Sequence, residues 1–271
     1  MKVYNALILT MFLPIAMTAQ KGYEIGGFLG INTYVGEINP NYSLKTPGPS
    51  IGGVGRYNFN SRTSLRMDVA AGRLYGKDEL SENPFQKARN LSFRTDYIDA
   101  GLNFEFNFFS LVHGSKNSYY SPYVFAGLAF AYYNPKAKLD NTWYALRPLG
   151  TEGQLRNYSA VAAGLAYGIG IKFDFSYEWS LNVELYGRQM LTDYIDDVST
   201  TYPNMIELGA RRGEIAVELS DRSGELGIEP IGTLGRQRGN SGDNDAYFTL
   251  RVGMVYYIGI LQCPAISRPR P

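Results

Sequence analysis

The chain has 271 residues, 45% of them hydrophobic and 19% charged, and its 26 basic and 25 acidic side chains leave a formal net charge of +1. This balance excludes an intrinsically disordered chain and gives no bulk charge for nucleic-acid binding. With one Cys and one His, the chain can form neither an internal disulfide nor a zinc site of three or four thiol or imidazole ligands. Its 22 Tyr and 30 Gly favour strands and tight turns, and the length suits one all-β domain.

The first twenty residues have the organisation of a secretory signal peptide. Lys2 supplies a positive charge, residues 6–17 are almost wholly apolar, and residues 18–20 offer a cleavage region. The apolar run is short for a membrane span, and no cysteine stands at the cleavage point to carry a lipid. No later window approaches 18 consecutive apolar residues. We therefore expect residues 1–20 to be removed and the mature chain to be exported.

Eight segments with alternating apolar and polar residues predict eight long strands. In the clearest, Ile98 and Leu102 share an apolar face, while Asp99 and Glu105 share the opposite face. The predicted strands are 23–35, 50–59, 63–75, 97–108, 120–133, 160–175, 179–191 and 246–258. The connections alternate between long (36–49, 76–92, 134–157 and 194–245) and short (60–62, 109–119 and 176–178). Long loops at one end, with short turns and both termini at the other, are typical of outer-membrane barrels.

Alternation alone does not distinguish a membrane barrel from a soluble sandwich. The predicted strands exceed the usual length of strands in globular sheets. A one-residue shift of the 97–108 strand would place Asp99 and Glu105 in hydrocarbon, at about 2.5 to 3.5 kcal/mol each. Aromatic residues collect near strand ends, as in the girdles of membrane barrels: Tyr23, Tyr34, Tyr57, Tyr75, Tyr97, Tyr119, Tyr120, Tyr132, Tyr133, Tyr158, Trp179, Tyr256 and Tyr257. We therefore predict an all-β fold, an eight-stranded antiparallel transmembrane barrel over residues 21–259, with a periplasmic tail at 260–271.

The polar faces carry nearly balanced charge. The acids are Glu24, Asp68, Asp99, Glu105, Asp174 and Glu184, and the bases are Arg56, Arg66, Lys172, Arg188 and Arg251. The interior of an eight-stranded barrel is just wide enough for side chains to fill, and each desolvated carboxylate needs a cationic partner. The sequence therefore predicts a lumen plugged by a network of paired charges.

No catalytic, cofactor or metal site is expected. His113 has serines nearby but no acid close in sequence, so we interpret it as part of a solvated periplasmic turn. Asp193, Asp196 and Asp197 supply enough carboxylates for Ca²⁺ if loop carbonyls complete the coordination. No EF-hand spacing is present, and we interpret them as a rim cluster that caps a strand and turns the chain. Cys263, unpaired within the chain, is either free or bonded to a partner. Residues 206–221 fit neither period and are interpreted as a partly ordered piece of the longest external loop.

Several motifs resemble the PorG-type outer-membrane barrels of the type IX secretion system in Bacteroidota. They are EIGGFLGINTYVGEIN at 24–39, GRLYGKD at 72–78, ARNLSF at 88–93, EFNFF at 105–109, LTDYIDDVSTTYP at 191–203, SDRSG at 220–224 and QRGN at 237–240. The resemblance covers nearly all of the mature chain.

The resemblance implies a non-enzymatic subunit of the protein secretion machinery in the outer membrane of a Gram-negative bacterium. Its implied partners, besides the lipid bilayer, are the periplasmic ring proteins, a lipoprotein ring component and its partner protein. From the topology, we expect ring contact at Ser61, His113, Ser115, Lys116, Tyr177 and Cys263. The alternative is a stand-alone barrel like OmpX or OmpW, for surface interaction or small-solute passage. A lipid-modifying barrel enzyme is a third, weaker class.

Overall fold

The computed structural model describes residues 21–39 and 45–259. The strands are β1 (Gly22–Val35), β2 (Gly48–Asn58), β3 (Thr63–Lys77), β4 (Ser92–Asn107), β5 (Tyr120–Leu139), β6 (Thr142–Ala145), β7 (Val161–Asp174), β8 (Trp179–Met190) and β9 (Ala246–Ile258). The α-helices are α1 (Pro84–Arg89), α2 (Met205–Arg212) and α3 (Glu214–Ser220), and 3₁₀ turns span Asp78–Leu80 and Ser223–Leu226. No helix within these ranges is long and apolar enough to cross a membrane. The segments 1–20 and 260–271 lie outside the described residues.

Eight long strands close into an antiparallel barrel. Their order around the barrel is β1, β2, β3, β4, β5, β7, β8 and β9, and β9 pairs back with β1, where Val255 lies opposite Gly26. The β4–β5 pairing places Leu102 opposite Leu128. Because the barrel is closed, no strand has an unpaired edge. A β-sheet in hydrocarbon must be closed in this way, because lipid cannot form hydrogen bonds with the backbone. The predicted eight-stranded antiparallel barrel is confirmed.

The apolar faces of the strands point outward and the polar faces inward. On β4, Ile98 and Leu102 are 56% and 52% exposed, whereas Asp99 and Glu105 are 1% and 0% exposed. We call the exposed apolar residues around the barrel the apolar belt: Ile25, Leu29, Ile51, Met67, Val69, Ile98, Leu102, Leu128, Phe130, Leu165, Ile169, Leu185, Leu250 and Val252. A closed barrel with this exterior buries its ionic groups inside and presents only apolar side chains at its waist.

Two strands extend further toward the long-loop end than the alternation predicts. β4 begins at Ser92, and β5 continues to Leu139 before returning as the short strand β6. The turn residues Asp140 and Asn141 have φ values of 47° and 67°, as in the two-residue hairpin turns that favour Asp and Asn. The predicted loops 76–92 and 134–157 are therefore partly strand, and the Asp-Asn pair was the sequence signal for the hairpin.

The connection between β8 and β9 is ordered, so the interpretation of 206–221 as partly ordered is wrong. Asn204 starts α2 by accepting hydrogen bonds from the backbone N–H groups of Ile206 and Glu207, at 3.0 and 3.3 Å. Leu219 of α3 packs with Ala137 and Leu146 beside the β5–β6 hairpin. Both helices are short, and the second buries Leu219 against a hairpin that is distant in sequence, so its packing could not be predicted from the segment itself.

Some of the tyrosines assigned to aromatic girdles lie inside the barrel. Tyr34, Tyr97, Tyr133 and Tyr257 are at most 3% exposed, whereas Tyr23 is 61% exposed. Position near a strand end does not decide the side on which a residue lies. The period of two does, and it places Tyr97 on the same inward face as Asp99.

Candidate functional site

Glu184 on β8 is the centre of an ion-pair network in the lumen. Its Oε2 accepts hydrogen bonds from Arg66 Nη2 and Arg251 Nε, each at 2.8 Å. Its Oε1 accepts from Arg56 Nη2 at 3.1 Å and from the hydroxyl of Tyr123. The side chains of Glu184, Arg56 and Arg66 are 0% exposed. One carboxylate therefore links three arginines across the inside of the barrel.

The network continues toward the end that holds the short turns. Arg56 Nη1 donates to Glu24 at 2.9 Å, and its Nε donates to Glu105 at 3.0 Å. Lys172 on β7 donates to the same Glu105 carboxylate. Each acid in this layer therefore pairs with a cation that lies on a strand other than its own.

A second layer lies toward the long-loop end. Asp99 accepts from Arg188 Nη2 and from the Tyr247 hydroxyl, both at 2.8 Å. Asp68 accepts from the Tyr186 hydroxyl at 3.1 Å and lies 3.4 Å from Arg251 Nη1. This layer joins the first through Arg251, so the structure brings the lumen charges together in one connected network.

Aromatic rings and small residues fill the space around the charges. The guanidinium of Arg66 lies 4.4 Å from the centre of the Phe125 ring, and that of Arg188 lies 3.8 Å from the Tyr186 ring. A Cβ on Gly168 would come within 2.4 Å of the Phe125 ring. Small residues alternate along the inner face of β7, among them Gly164, Gly168 and Gly170. They make room for the bulky aromatic residues of β5.

His113 is buried, and its assignment to a solvated turn without an acid is wrong. It is 4% exposed, its Nδ1 lies 2.8 Å from Asp174 and its Nε2 lies 3.5 Å from Glu24. Its ring stacks on Tyr257 with centroids 4.0 Å apart. The turn between β4 and β5 therefore folds into the barrel and closes it at this end. Protonated His113 provides a sixth cation for the six lumen carboxylates.

The His113 environment predicts a pH-dependent stability. Burial lowers the pKa of the imidazole, but hydrogen bonds to Asp174 and Glu24 outweigh it and raise the pKa from 6.5 to about 9. The resulting stabilisation is fully present below the unfolded pKa and is lost as the pH rises through 9. We expect the free energy of unfolding in detergent to fall by about 2 to 3 kcal/mol between about pH 7 and about pH 10.

The matched control is His113→Gln, which cannot titrate. Urea titrations of both proteins across this pH range isolate the imidazole, because every other group titrates in both. An equal fall of stability in the variant would show that His113 does not contribute.

The other residues expected to contact a partner lie at the same end of the barrel. Ser61 Oγ accepts from Ser110 Oγ at 2.7 Å, which ties two of the turns together. The Tyr177 hydroxyl donates to the Gly259 carbonyl at 3.3 Å. Ser115 is half-buried and Lys116 is exposed. Cys263 falls outside the described residues.

Two buried arginines, which lie in the quoted motifs ARNLSF and QRGN but were assigned no role there, hold the long-loop end closed. We call residues 191–245 the cap. Arg238 Nη1 donates to Glu152 at 3.0 Å and to the Asp197 carbonyl at 2.7 Å. Arg89 donates to Asp78 at 2.7 Å and to the Arg238 carbonyl at 2.5 Å. A single arginine in a long loop carries no sequence pattern, which is why neither was predicted.

The cap also places apolar side chains in the barrel mouth. Ile195 and Val198, each 1% exposed, belong to one buried cluster with Tyr34, Tyr97 and Tyr247. The rings of Tyr97 and Tyr247 lie 5.0 Å apart. The lumen is therefore covered at both ends, by the cap and by the His113 turn.

The three aspartates of the 191–203 motif do not form one cluster. Asp197 has a φ of 70° and turns away, accepting from Thr151 Oγ1 at 2.5 Å and from the Tyr158 hydroxyl at 2.6 Å. Asp196 instead approaches acids from other loops. The rim cluster expected from sequence therefore has different members.

We call Glu37, Asp193, Asp196 and Asp245 the acidic cluster. Oxygen atoms of Glu37, Asp196 and Asp245 lie within 4.8 Å of one another. Burial, followed by the adjacent Asp193 carboxyl, raises the pKa of Glu37 to about 9. Burial is also the largest cause that raises the pKa of Asp193 to about 7 and those of Asp196 and Asp245 above their usual range. Beside Glu37, a cleft of about 480 Å³ opens between the cap and the loop that holds α1.

A family model described as "Domain of unknown function (DUF6089)" matches residues 2–211. The chain belongs to the DUF6089 family. A search of curated proteins finds none that matches this DUF6089 chain.

Solved barrels cover nearly the whole chain at low identity. OprG from Pseudomonas aeruginosa is 10% identical, with 89% of this chain and 98% of that chain covered and a TM-score of 0.45. Neisserial surface protein A is 11% identical, with 87% and 96% covered and a TM-score of 0.44. Ail of Yersinia pestis, in complex with the heparin analogue sucrose octasulfate, is 11% identical, with 88% and 99% covered and a TM-score of 0.42.

The location of this DUF6089 protein follows from its own surface. The apolar belt encircles a closed sheet whose charged side chains are buried inside. In water such an exterior would be costly, whereas in a bilayer it matches the acyl chains. The protein is therefore an eight-stranded membrane-spanning barrel with the architecture of outer-membrane proteins.

Proposed function

We propose that the protein is a non-enzymatic barrel subunit of the type IX protein secretion system, anchored in the outer membrane and associated with the periplasmic lipoprotein ring. The filled lumen is the observation that supports an anchoring role and argues against passage of solutes through the barrel. Its central side chains, Glu184, Arg56 and Arg66, are 0% exposed, and both ends are covered. A barrel with a filled and covered lumen is suited to act as a membrane anchor rather than as a channel.

The association with the ring is supported by the resemblance of the sequence to PorG-type barrels and by the form of the turn end. Ser61 and Ser110 join two turns, and Tyr177 contacts the end of the last strand. Lys116 stands exposed on this surface. These turns give a compact surface beside Gly259, the last residue that the structure describes.

Site-specific cross-linking tests the proposal. In a Cys263→Ser background, Lys116→Cys places a thiol on the turn end and Leu155→Cys places one on the long-loop end, where Leu155 is 80% exposed. Treated with a bifunctional thiol reagent in intact cells, the Lys116→Cys protein should give one discrete heavier species that contains the lipoprotein ring component. The Leu155→Cys protein should not.

Two results would contradict the proposal. One is a free monomer from Lys116→Cys under all conditions, which favours the stand-alone barrel. The other is loss of ring co-purification through substitutions in 134–157, while the turns tolerate change.

The stand-alone alternative is favoured by one observation. Leu155, Ile206 and Leu234 at the long-loop end are 80%, 86% and 72% exposed. Apolar residues at a cell surface suit a surface-interaction barrel of the OmpX or OmpW kind. The filled lumen argues against the small-solute passage that this alternative also included.

A further inference from the structure

The acidic cluster joins three separate segments of the long-loop end. Glu37 follows β1, Asp193 and Asp196 follow β8, and Asp245 directly precedes β9. Asp193, Asp196 and Asp245 are 7%, 1% and 0% exposed. Four carboxyl groups are thus drawn together from distant parts of the sequence, between the barrel mouth and the cap.

Several oxygen atoms of the cluster lack a protein donor. Asp196 is 1% exposed, and its Oδ2 has no hydrogen-bond donor. Asp193 is more than nine-tenths buried beside Ser199 and the Glu37 carboxyl, and neither its oxygens nor Oε2 of Glu37 has a donor in good hydrogen-bond geometry. Buried polar atoms in folded proteins almost always have a partner, so these oxygens point to a ligand between them.

No cationic side chain fills this role within residues 21–39 and 45–259, since no Lys, Arg or His there forms an ion pair with the four carboxylates. Arg89 is bound to Asp78 and to the carbonyls of Glu37 and Arg238. Arg238 is bound to Glu152 and to the Asp197 and Ser220 carbonyls. The protein thus pairs each lumen carboxylate with a cation, whereas the cluster has only the charge of Arg89 nearby, beyond ion-pair distance of Asp196.

We propose that the acidic cluster binds one Ca²⁺ ion, with Glu37, Asp196 and Asp245 as its carboxylate ligands and Asp193, which lies beside Glu37, as a further negative charge next to them. Calcium takes six to eight oxygen ligands at about 2.3 to 2.6 Å, so two oxygens on one ion lie at most about 5 Å apart. The oxygens of Glu37, Asp196 and Asp245 lie within 4.8 Å of one another. This site differs from the expectation of no metal and from the three-aspartate grouping considered from sequence.

The ion would fasten the cap to the barrel. Asp245 already accepts from the Tyr34 hydroxyl of β1 and from the Ile195 N–H of the cap, the latter at 2.8 Å. Asp196 accepts from the Val198 N–H at 2.9 Å. Ile195 and Val198 are the residues of the cap that fill the barrel mouth. A cation bound here would therefore hold these two side chains in the mouth. The cleft beside Glu37 makes one of the four carboxyl groups accessible from the exterior.

Calcium binding to the full chain, refolded in detergent and treated with chelator, tests the proposal. Isothermal titration with CaCl₂ should give one saturable site per chain, and Ca²⁺ should raise the melting temperature of the refolded protein. Asp193→Asn should raise the Kd about tenfold, because it removes one negative charge from the cluster. This variant keeps the size and shape of the side chain and can still accept a hydrogen bond, so it is expected to fold.

The control is Glu229→Gln, an exposed acid of the cap, which should leave the Kd unchanged. Asp196→Asn should weaken binding like Asp193→Asn, and Mg²⁺ should bind more weakly because it demands a tighter octahedral geometry. The proposal is overturned if the chain shows no saturable Ca²⁺ binding at millimolar concentration, or if Asp193→Asn and Asp196→Asn bind as tightly as the wild type.

Discussion

Glu184→Ala is expected to lower the free energy of unfolding of the barrel by about 3 to 5 kcal/mol, or to prevent refolding altogether. The variant leaves the buried guanidinium groups of Arg56, Arg66 and Arg251 without the carboxylate that they share, at 2.8 to 3.1 Å. Three buried cations would then repel one another in a medium of low dielectric. Urea titration of the refolded protein in detergent or lipid vesicles measures the loss.

The matched control is Glu207→Ala on α2. Glu207 also pairs with an arginine, Arg211, at 2.7 Å, but its side chain is 62% exposed. An exposed pair of this spacing contributes only about 0.3 to 0.5 kcal/mol. The two variants therefore remove similar contacts that differ in burial. Equal stability losses in Glu184→Ala and Glu207→Ala would contradict a lumen of buried, paired charges.

Leu102→Arg is expected to destabilise the barrel by about 2 to 4 kcal/mol in phospholipid vesicles. Leu102 lies in the middle of β4 on the apolar belt and is 52% exposed. An arginine there would place its charge among acyl chains, and the lumen could not receive it because the period of two fixes the side on which it lies. Refolding yield and urea titration in vesicles measure the effect.

Leu234→Arg in the cap is the control, since Leu234 is more exposed than Leu102, at 72%, but lies in the long-loop end. We expect its effect to stay within about 0.5 kcal/mol. If both substitutions were tolerated equally, the apolar belt would face water and the barrel would not span a membrane.

The barrel itself could be derived from the sequence because its signal is local and periodic. Alternation assigned Ile98 and Leu102 to one face and Asp99 and Glu105 to the other, and the burial of these residues agrees. The cost of placing two carboxylates in hydrocarbon fixes the register, so the lumen residues followed from the strands. Tyr97 was assigned to an aromatic girdle because it lies near a strand end. The alternation of side chains along the strand places it inside the barrel instead.

The partners of those residues could not be derived. Glu184 meets Arg56 and Arg66 across the barrel, and such a contact depends on strand tilt and on which strands face each other through the lumen. His113 looked isolated because Glu24 and Asp174, which it contacts, are distant in sequence. A search for an acid close in the chain cannot find contacts made by closing a sheet.

The sequence by itself determined an eight-stranded barrel, its register and the inward set of charges, since alternation repeats along each strand and needs no knowledge of the rest of the chain. Only the tertiary structure decided that the His113 turn and the cap close the two ends, and that Glu37 and Asp245 meet Asp196. The physical reason is that loops have no period. Their side chains are brought together by barrel closure across some 200 positions of sequence, from Glu37 to Asp245, and that distance leaves no local pattern.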